Sequence, residues 1–250
     1  MTDLLAQHAF APGLSWRGFA GLRVVADVHG EAEAFRAAVE GALAEDMFVL
    51  QLGDLTDHGP DSPAVLRMMF ALMDAGQGMF LLGNHDHKLR RALVGGQVRI
   101  QAEGLGRTLE QLAAAPDGAA LKQRAIAEIA RAPAWIRDGS RIFVHGGFHP
   151  GMLHAAAPPD AGTGKATGLV TRAIYGQVTG RMRADGFPDR VHDWVDRIPR
   201  DMLVVCGHDR RSTDGRPFVA DGLLGGRCVF LDCGAGKGGH LAWLDLPAWA

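Results

Sequence analysis

Tyrosine, cysteine and net charge are all scarce in this chain. Its 250 residues include one Tyr and three Cys, and the formal net charge at pH 7 is −2. Three cysteines cannot all pair, which argues against a disulfide framework and favours a reducing compartment. A chain this close to neutrality has no global field to hold nucleic acid or an anionic membrane non-specifically. Any attraction of the protein for phosphate must therefore come from a local site rather than from its overall charge.

Two targeting and binding signals are also missing. The first 16 residues carry Asp3 where a signal peptide has cations, and their apolar run is too short and interrupted to span a membrane. These features predict a soluble, cytoplasmic protein with no membrane partner. The string GTGKAT (162–167) does not fit a phosphate-binding P-loop, because that spacing puts Pro159 where Gly is needed and Ala166 where Ser or Thr is needed.

Glycine, in contrast, is abundant. The chain has 34 glycines, about twice the usual share. No Gly-X-Y period accompanies them and 47 % of the residues are hydrophobic, which excludes a collagen-like or disordered chain. A single hydrophobic core can serve about 250 residues before chains divide into several domains, so we expect one domain over residues 1–250.

The hydrophobic pattern predicts an α/β fold. Short apolar runs, which are typical of buried strands, alternate with helical spacing in the first hundred residues. Helical spacing then continues through 84–131 as an insertion outside the sheet, and the second half is rich in strands. This order favours two sheets packed as a sandwich and flanked by helices. The predicted strands are 22–26, 47–52, 78–83, a pair within 135–147, 202–207, 227–233 and 240–246; the predicted helices are 31–43 and 62–76, the latter capped by Asp61 or Ser62; the predicted loop is 155–169.

Metal-binding residue types follow the predicted strands, each beside glycine. Because strand ends line one edge of a sheet, these side chains can converge although they are far apart in sequence. Carboxylates, a carboxamide and imidazoles together suit Mn, Fe or Zn without a thiolate. The set is too large for one open catalytic metal, so two ions are expected, with Asp54 as the best bridging carboxylate. The candidate ligands are Asp27, His29, Asp54, Asn84, His145 and His208.

Five motifs in this order resemble the calcineurin-like metallophosphoesterases. They are DVHG (27–30), GDLTDHG (53–59), GNHD (83–86), HGG (145–147) and GH (207–208). Longer stretches are similar to bacterial phosphatase domains: those of RNA-repair polynucleotide kinase-phosphatases and their stand-alone relatives, which are Ser/Thr phosphatase-like and dinucleoside-tetraphosphatase-like enzymes. The resemblance covers about 22–247 and implies a double β-sandwich with two metal ions.

The resemblance also implies a role for each matching residue. Asp27, His29 and Asp54 would bind one metal, and Asp54 with the remaining candidates would bind the other. His85 would protonate the leaving group, and Asp57 would orient His85. The implied reaction is in-line attack on phosphorus by a hydroxide that bridges two divalent ions, of which Mn²⁺ is favoured over Fe or Zn.

Two departures from the family pattern concern substrate binding. The family usually reads GDxxDRG, in which Arg grips the phosphate, and this chain has His58 at that position. Relatives often read GHTP, whereas this chain has Arg210 and Arg211 directly after His208, and they could supply the missing guanidinium. Asp232 in LDCG matches an acidic residue of a late family motif. These four residues are the predicted substrate-binding group.

The sequence leaves the substrate open. Hydrolysis of phosphomonoesters is the first hypothesis, and phosphoserine or phosphothreonine proteins and dinucleoside tetraphosphates are the alternatives within the family. The partner is therefore a phosphorylated small molecule, nucleotide, RNA end or protein. A non-catalytic metal-binding protein is the competing class, suggested by the loss of Arg at position 58. The aromatic residues that could stack on a base are Trp135, Phe148, Tyr175 and Trp194.

Overall fold

The computed structural model describes residues 16–184 and 188–247. Its first sheet has four strands in the order β11-β1-β2-β3. Strands β1, β2 and β3 are parallel, and β11 pairs antiparallel with β1. The strands are β1 (Gly21–Val25), β2 (Met47–Gln51), β3 (Gly78–Phe80) and β11 (Trp243–Pro247).

The second sheet has five strands in the order β4-β5-β8-β10-β9. Its three central strands are parallel, and β4 and β9 are antiparallel edges. A separate antiparallel hairpin is formed by β6 and β7. The bounds are β4 (Trp135–Asp138), β5 (Arg141–Val144), β6 (Gln177–Met182), β7 (Pro188–Val191), β8 (Leu203–Cys206), β9 (Phe218–Asp221) and β10 (Arg227–Phe230).

The two sheets pack face to face. Buried Leu22 and Phe48 of the first sheet share one apolar cluster with Phe143 and Val205 of the second. Alternation along the strands sends the neighbouring residues to the outer faces, where Val49 packs in a second cluster with helical side chains. The prediction of two mixed sheets flanked by helices is confirmed. The helices are α1 (Ala32–Ala44), α2 (Ser62–Asp74), α3 (Asn84–Leu93), α4 (Arg107–Ala114), α5 (Gly118–Arg131) and α6 (Gly168–Tyr175).

Helix α2 begins as its sequence indicates. The Asp61 side chain accepts a hydrogen bond from the backbone nitrogen of Ala64 at 2.9 Å, so Asp61 is the N-cap and Ser62 the first helical residue. Pro63 in the first turn lacks an amide proton that the helix does not need there. Helices α3, α4 and α5 occupy most of 84–131, where the sequence predicts helix, but residues 94–101 are not helical and a π-helical turn at Ala102–Gly106 precedes α4.

Three elements of the second half were not predicted: α6, the β6–β7 hairpin and β9. Residues of β6 from Val178 to Met182 are exposed, and three of the four residues of β9 are exposed. Hairpins and edge strands that bury neither face leave no apolar alternation in the sequence. The last strand also begins at Trp243 rather than at 240, and α6 starts at the end of the predicted loop.

Several sequence predictions meet the limits of the described region. The prediction about a signal peptide was made from residues 1–16, of which residues 1–15 lie outside the described residues. Within the described residues, no helix is long and apolar enough to cross a membrane.

Cys206, Cys228 and Cys233 are buried and free, consistent with small apolar side chains in a core. The single domain over 1–250 stays a prediction.

Candidate metal centre

The carboxyl ends of four strands meet at one edge of the sandwich. Asp27 follows β1, Asp54 follows β2, His145 follows β5 and His208 follows β8. The side chains of Asp27, Asp54 and His145 are almost fully buried. Asn84 starts α3, and its Oδ1 lies 3.1 Å from His145 Nε2. The structure therefore brings together residues spread over most of the chain.

Asp54 lies at the centre of this group. Its Oδ2 is 3.7 Å from His29 Nε2 and 3.4 Å from His145 Nε2. Among the described residues, three sets of three side chains have donor atoms within 4.8 Å of one another, close enough to hold a metal ion, and Asp54 belongs to two of them. These two are Asp27, His29 and Asp54, and Asp54, His145 and His208; the third is His29, His58 and His85. This is the arrangement expected of a carboxylate shared by two metal ions.

The imidazoles are oriented by the backbone. His29 Nδ1 donates to the carbonyl oxygen of Thr56 at 2.9 Å, and His145 Nδ1 donates to that of Leu52 at 2.9 Å. With Nδ1 bound to a carbonyl oxygen, Nε2 of each ring faces Asp54. Metal-binding histidines usually donate their other nitrogen in this way, which fixes both tautomer and ring orientation.

The donor set fits divalent cations. His208 Nε2 is buried and has no hydrogen-bond partner among the described residues. Burial and the nearby Asp232 raise the pKa of Asp27 well above its usual value. Burial opposes ionisation of Asp54, but His145 and His85 outweigh it and hold its pKa well below the usual range. Buried carboxylates this close together need positive charge, which metal ions would supply.

His145 carries part of that charge. Burial alone would lower its pKa, but the carboxylates of Asp54 and Asp27 outweigh burial and raise it to about 9. Burial and the cation of Lys237 lower the pKa of His29 well below its usual value. The ring of His145 is therefore protonated at neutral pH when no metal is bound, whereas that of His29 is neutral.

Backbone strain is concentrated at this centre. A positive φ is uncommon for residues with a side chain and costs about 1–3 kcal/mol when the structure imposes it. Such angles cluster at ligand-binding sites, where the surrounding contacts hold them. The site residues with positive φ are His29 (47°), Asp54 (60°), Asp57 (78°), His58 (62°) and His208 (63°).

Two glycines allow the loops to approach each other. A Cβ on Gly83 would overlap the backbone nitrogen and Oδ1 of Asp54. A Cβ on Gly207 would overlap Oδ1 of Asp27, which accepts a hydrogen bond from the His208 nitrogen at 3.0 Å. Part of the glycine surplus therefore permits contacts that any larger residue would prevent.

His85 and Asp57 form a hydrogen-bonded pair. His85 Nδ1 lies 2.5 Å from Asp57 Oδ2, and His85 Nε2 lies 3.9 Å from Asp54 Oδ2. Thr108 fixes Asp57 by donating from Oγ1 to Asp57 Oδ1 at 2.8 Å and accepting from the Asp57 nitrogen at 3.0 Å. His85 therefore presents Nε2 to the centre, with its other nitrogen held by a buried carboxylate.

Asp86 is a structural carboxylate that sequence reasoning left without a role. Its Oδ2 accepts from the Asp54 nitrogen at 2.7 Å and the Gly83 nitrogen at 3.0 Å, and its Oδ1 accepts from the Leu55 nitrogen at 3.1 Å. It thus ties the loop after β2 to the start of α3. The fourth position of GNHD is the only sequence signal that points to it.

The predicted substrate-binding residues have different surroundings. His58 is half-buried, with its ring centroid 4.9 Å from that of His29; burial and the cation of Lys237 lower its pKa to about 4. Arg210 is exposed and donates to the Lys237 carbonyl at 3.4 Å. Arg211 lies over Phe218, 5.0 Å from the ring centroid.

Asp232 is a neighbour of Asp27 rather than an exposed group. It is 3 % exposed, and its Oδ1 accepts from the Gly234 nitrogen at 2.8 Å. Burial raises its pKa. Its role in substrate binding stays a prediction.

The four aromatic candidates are mostly core residues. Trp135, Phe148 and Trp194 are at most 4 % exposed, and only Tyr175 of the four is open to solvent, at 38 %. Burial on this scale leaves no face for a base to stack on, so Tyr175 is the remaining candidate.

Lys237 was missed by sequence reasoning. Its Nζ donates to His29 Nε2 at 2.8 Å, although its backbone lies near the C-terminal end of the chain. No motif pointed to it, because a single lysine in a glycine-rich loop has no spacing to recognise.

Comparison with known protein families identifies the family to which the chain belongs. The sequence model of the calcineurin-like phosphoesterase family matches residues 22–211, more than half of the chain. The chain belongs to this family. The resemblance and the fold expected from it are therefore confirmed, and the protein is a hydrolase of phosphoesters.

Curated relatives extend over nearly the whole chain. A Geobacillus thermodenitrificans protein named bis(5'-nucleosyl)-tetraphosphatase PrpE (asymmetrical) is 29 % identical over 238 residues, which cover 90 % of this chain and 89 % of that protein. The Bacillus velezensis protein of the same name is 26 % identical over 240 residues, which cover 90 % and 88 %.

Solved structures support the fold of this phosphoesterase. A crystal structure assigned provisionally as a diadenosine tetraphosphatase matches with a TM-score of 0.56, at 20 % identity, covering 92 % of this chain and 95 % of that one. A protein serine/threonine phosphatase from Saccharomyces cerevisiae matches with a TM-score of 0.53, at 14 % identity, covering 92 % and 81 %. At these identities the likeness concerns the fold alone.

Proposed function

We propose that this phosphoesterase uses two divalent metal ions that share Asp54. The observation that carries the proposal is the position of Asp54, whose carboxylate belongs to two of the three potential metal-binding sets. One ion would be held by Asp27, His29 and Asp54, and the other by Asp54 with the remaining ligands, which are Asn84, His145 and His208. The oxygen and nitrogen donors favour Mn²⁺, with Fe or Zn as alternatives.

When bound, the two cations would lower the pKa of water and offset negative charge on the phosphoryl oxygens. The chain's own residues then have defined tasks. His85 donates a proton from Nε2 to the leaving oxygen, because its Nδ1 is held by Asp57. Because Asp57 is buried, its hydrogen bond to Nδ1 would hold the imidazole of His85 in one orientation. No covalent intermediate with the protein is part of this reaction.

The relatives' names favour dinucleoside tetraphosphates as substrates over the phosphomonoesters and phosphoproteins that sequence alone allowed. Asymmetrical hydrolysis of such a molecule divides four phosphates into a nucleoside triphosphate and a nucleoside monophosphate. Tyr175 is 38 % exposed and its backbone packs against Gly146, the residue after His145, so of the four aromatic candidates it is the one available to stack on a base. RNA ends and other phosphorylated partners, a cytoplasmic location and the absence of membrane and non-specific nucleic-acid binding stay predictions.

The first test compares three substrates. Protein reconstituted with Mn²⁺ is assayed on diadenosine tetraphosphate, an aryl phosphate and a phosphoserine peptide, with products separated by chromatography. We expect metal-dependent release of ATP and AMP and the highest kcat/KM for the dinucleotide. Equal or higher kcat/KM for the aryl phosphate would reassign the substrate to phosphomonoesters, and no hydrolysis of any substrate would contradict the proposal.

Asp54→Asn is expected to abolish hydrolysis, since an amide is a poor bridge between two cations. Asp46→Asn is the matched control, because Asp46 also has a positive φ, of 54°, but is exposed and remote from the centre. Full activity of Asp54→Asn after metal reconstitution would contradict the shared-carboxylate site. A loss of activity in both variants would indicate an effect on the backbone rather than on the metals.

A further inference from the structure

The residue that replaces the family's arginine cannot repeat its contacts. His58 lies edge-on to two neighbouring rings, with its centroid 4.9 Å from His29 and 5.4 Å from His85. An imidazole lacks the fork of donors through which a guanidinium holds a phosphate with two parallel hydrogen bonds. Any side-chain cation that holds the phosphoryl oxygens must therefore come from another part of the chain.

A glycine-rich loop after β10 lies against this position. The loop is closed by hydrogen bonds from the nitrogens of Lys237 and Gly239 to the Gly234 carbonyl, at 3.0 and 2.9 Å. Asp232 holds its start by accepting from the Gly234 nitrogen at 2.8 Å. The loop is therefore an ordered turn that fixes where the Lys237 side chain leaves the backbone.

Gly236 brings the loop against the two histidines. Its φ is +69°, and a Cβ there would lie 2.7 Å from His29 Cβ and 3.2 Å from His58 Cβ. Only a residue without a side chain fits this gap without displacing its neighbours. Lys237 consequently follows directly after the point at which the loop touches His29 and His58.

The ammonium group of Lys237 reaches the centre itself. Its Nζ lies 2.8 Å from His29 Nε2, which is the atom of that ring that faces Asp54. The Lys237 side chain is exposed, so substrate has access to it. A lysine has four rotatable side-chain bonds and three donor protons, so its ammonium can turn to an oxygen held beside His29 while the loop stays in place.

The two arginines proposed from sequence make other contacts. Arg210 donates to the carbonyl of Lys237 at 3.4 Å, which braces the loop. Arg211 donates to His192 at 3.1 Å and lies over the ring of Phe218. Neither contact directs a guanidinium at Asp54 or His29.

We propose that Lys237 binds a non-bridging oxygen of the phosphoryl group under attack, in place of the arginine that this chain lacks at position 58. The inference rests on the proposed phosphohydrolase function and adds a substrate-binding residue to it. Lys237 stabilises the substrate and the charge that develops on the equatorial oxygens, and it forms and breaks no covalent bond.

The test measures phosphate binding directly. Inorganic phosphate is titrated into Mn²⁺-reconstituted wild type, Lys237→Met, Lys237→Arg and the exposed control Lys165→Met by calorimetry. A hydrogen bond to a charged group contributes about 1.5–3 kcal/mol, so Lys237→Met should raise the phosphate Kd about 10-fold to 100-fold. Lys237→Arg should stay within a few-fold of wild type, and Lys165→Met should not change it.

Activity and metal content complete the test. We expect kcat/KM for diadenosine tetraphosphate to fall in Lys237→Met in parallel with phosphate affinity, while metal bound per chain stays at the wild-type value. A phosphate Kd within twofold of wild type overturns the inference, as does a loss confined to metal content. If Lys237→Met does not fold, Lys237→Gln serves for the same readout. Wild type that binds phosphate but hydrolyses no substrate contradicts the proposed function and leaves the phosphate measurement valid.

Discussion

In the proposed mechanism, proton transfer by His85 depends on Asp57, a residue that does not face the substrate. Its carboxylate is fully buried and binds His85 on one oxygen and Thr108 on the other. Removing its charge should leave His85 in place but without a fixed tautomer. His85 would then be a weaker proton donor, and the loss should be largest where the leaving oxygen is most basic.

We therefore predict that Asp57→Asn lowers kcat about 100-fold for alkyl phosphates and much less for aryl phosphates with acidic phenols. The measurement is kcat across a series of phosphate esters whose leaving groups differ in pKa. The variant should show a steeper dependence on leaving-group pKa than wild type. An unchanged slope would contradict the role of His85 as proton donor.

Thr108 offers a finer test of the same contact. Thr108→Val removes the hydroxyl that donates to Asp57 Oδ1, whereas Thr108→Ser keeps it. We expect about a 10-fold loss of kcat in the valine variant, since one hydrogen bond to a charged group contributes about 1.5–3 kcal/mol. The serine variant should keep kcat close to wild type. A loss in the serine variant with wild-type kcat in the valine variant would mean that the methyl group matters rather than the hydroxyl.

The site residues that the sequence predicts differ physically from those that it does not predict. Asp54 and His145 each follow a buried strand and stand beside glycine, so local pattern alone points to them. Lys237 and Thr108 act across long sequence distances, through contacts 208 and 51 residues apart. No local pattern records such contacts, because they depend on how the second sheet and the helical insertion pack on the first.

At the scale of elements, the centre depends on how closely two loops approach. The loop after β2 and the start of α3 are joined by Asp86, and Gly83 lies directly against the backbone of Asp54. The alternation of apolar strands and helices is enough to predict these elements. Their separation is set by hydrogen bonds to one carboxylate, which the sequence pattern does not reveal.

Gly83→Ala is predicted to disrupt the centre, because its Cβ would overlap two atoms of Asp54. We expect a loss of bound metal and destabilisation of about 1–3 kcal/mol, the usual cost of overpacking. Gly164→Ala is the matched control, since nothing lies within 4 Å of a Cβ at that position and no positive φ is involved. Metal analysis and thermal unfolding measure both effects, and wild-type metal content in Gly83→Ala would contradict the assignment.

Exposure to solvent explains which strands could not be predicted from the sequence. The β6–β7 hairpin and β9 bury little, so their residues carry no alternation of apolar and polar positions. The buried strands β1, β2 and β8 were found because burial imposes apolar residues. Strands could be predicted where burial in the core requires apolar residues. They could not be predicted where exposure to solvent imposes no residue type.

For the whole molecule, metal binding is linked to pH through His145. Without metal its pKa is raised to about 9, so it is protonated at pH 7, whereas a metal ligand must be neutral. Metal binding at pH 7 should therefore release about one proton from this ring, and affinity should rise as pH increases towards 9. Calorimetry of Mn²⁺ binding in buffers with different ionisation enthalpies gives the number released. Binding without proton release at pH 7 would contradict the raised pKa.

The central claim is that two metal ions share Asp54. Anomalous diffraction from crystals grown with Mn²⁺ tests it most directly, because the peaks locate the ions independently of any assay. We predict two manganese peaks, one between Asp27 and His29 and one between His145 and His208, each next to an oxygen of Asp54. A single peak, or two peaks of which one does not contact Asp54, would contradict the account.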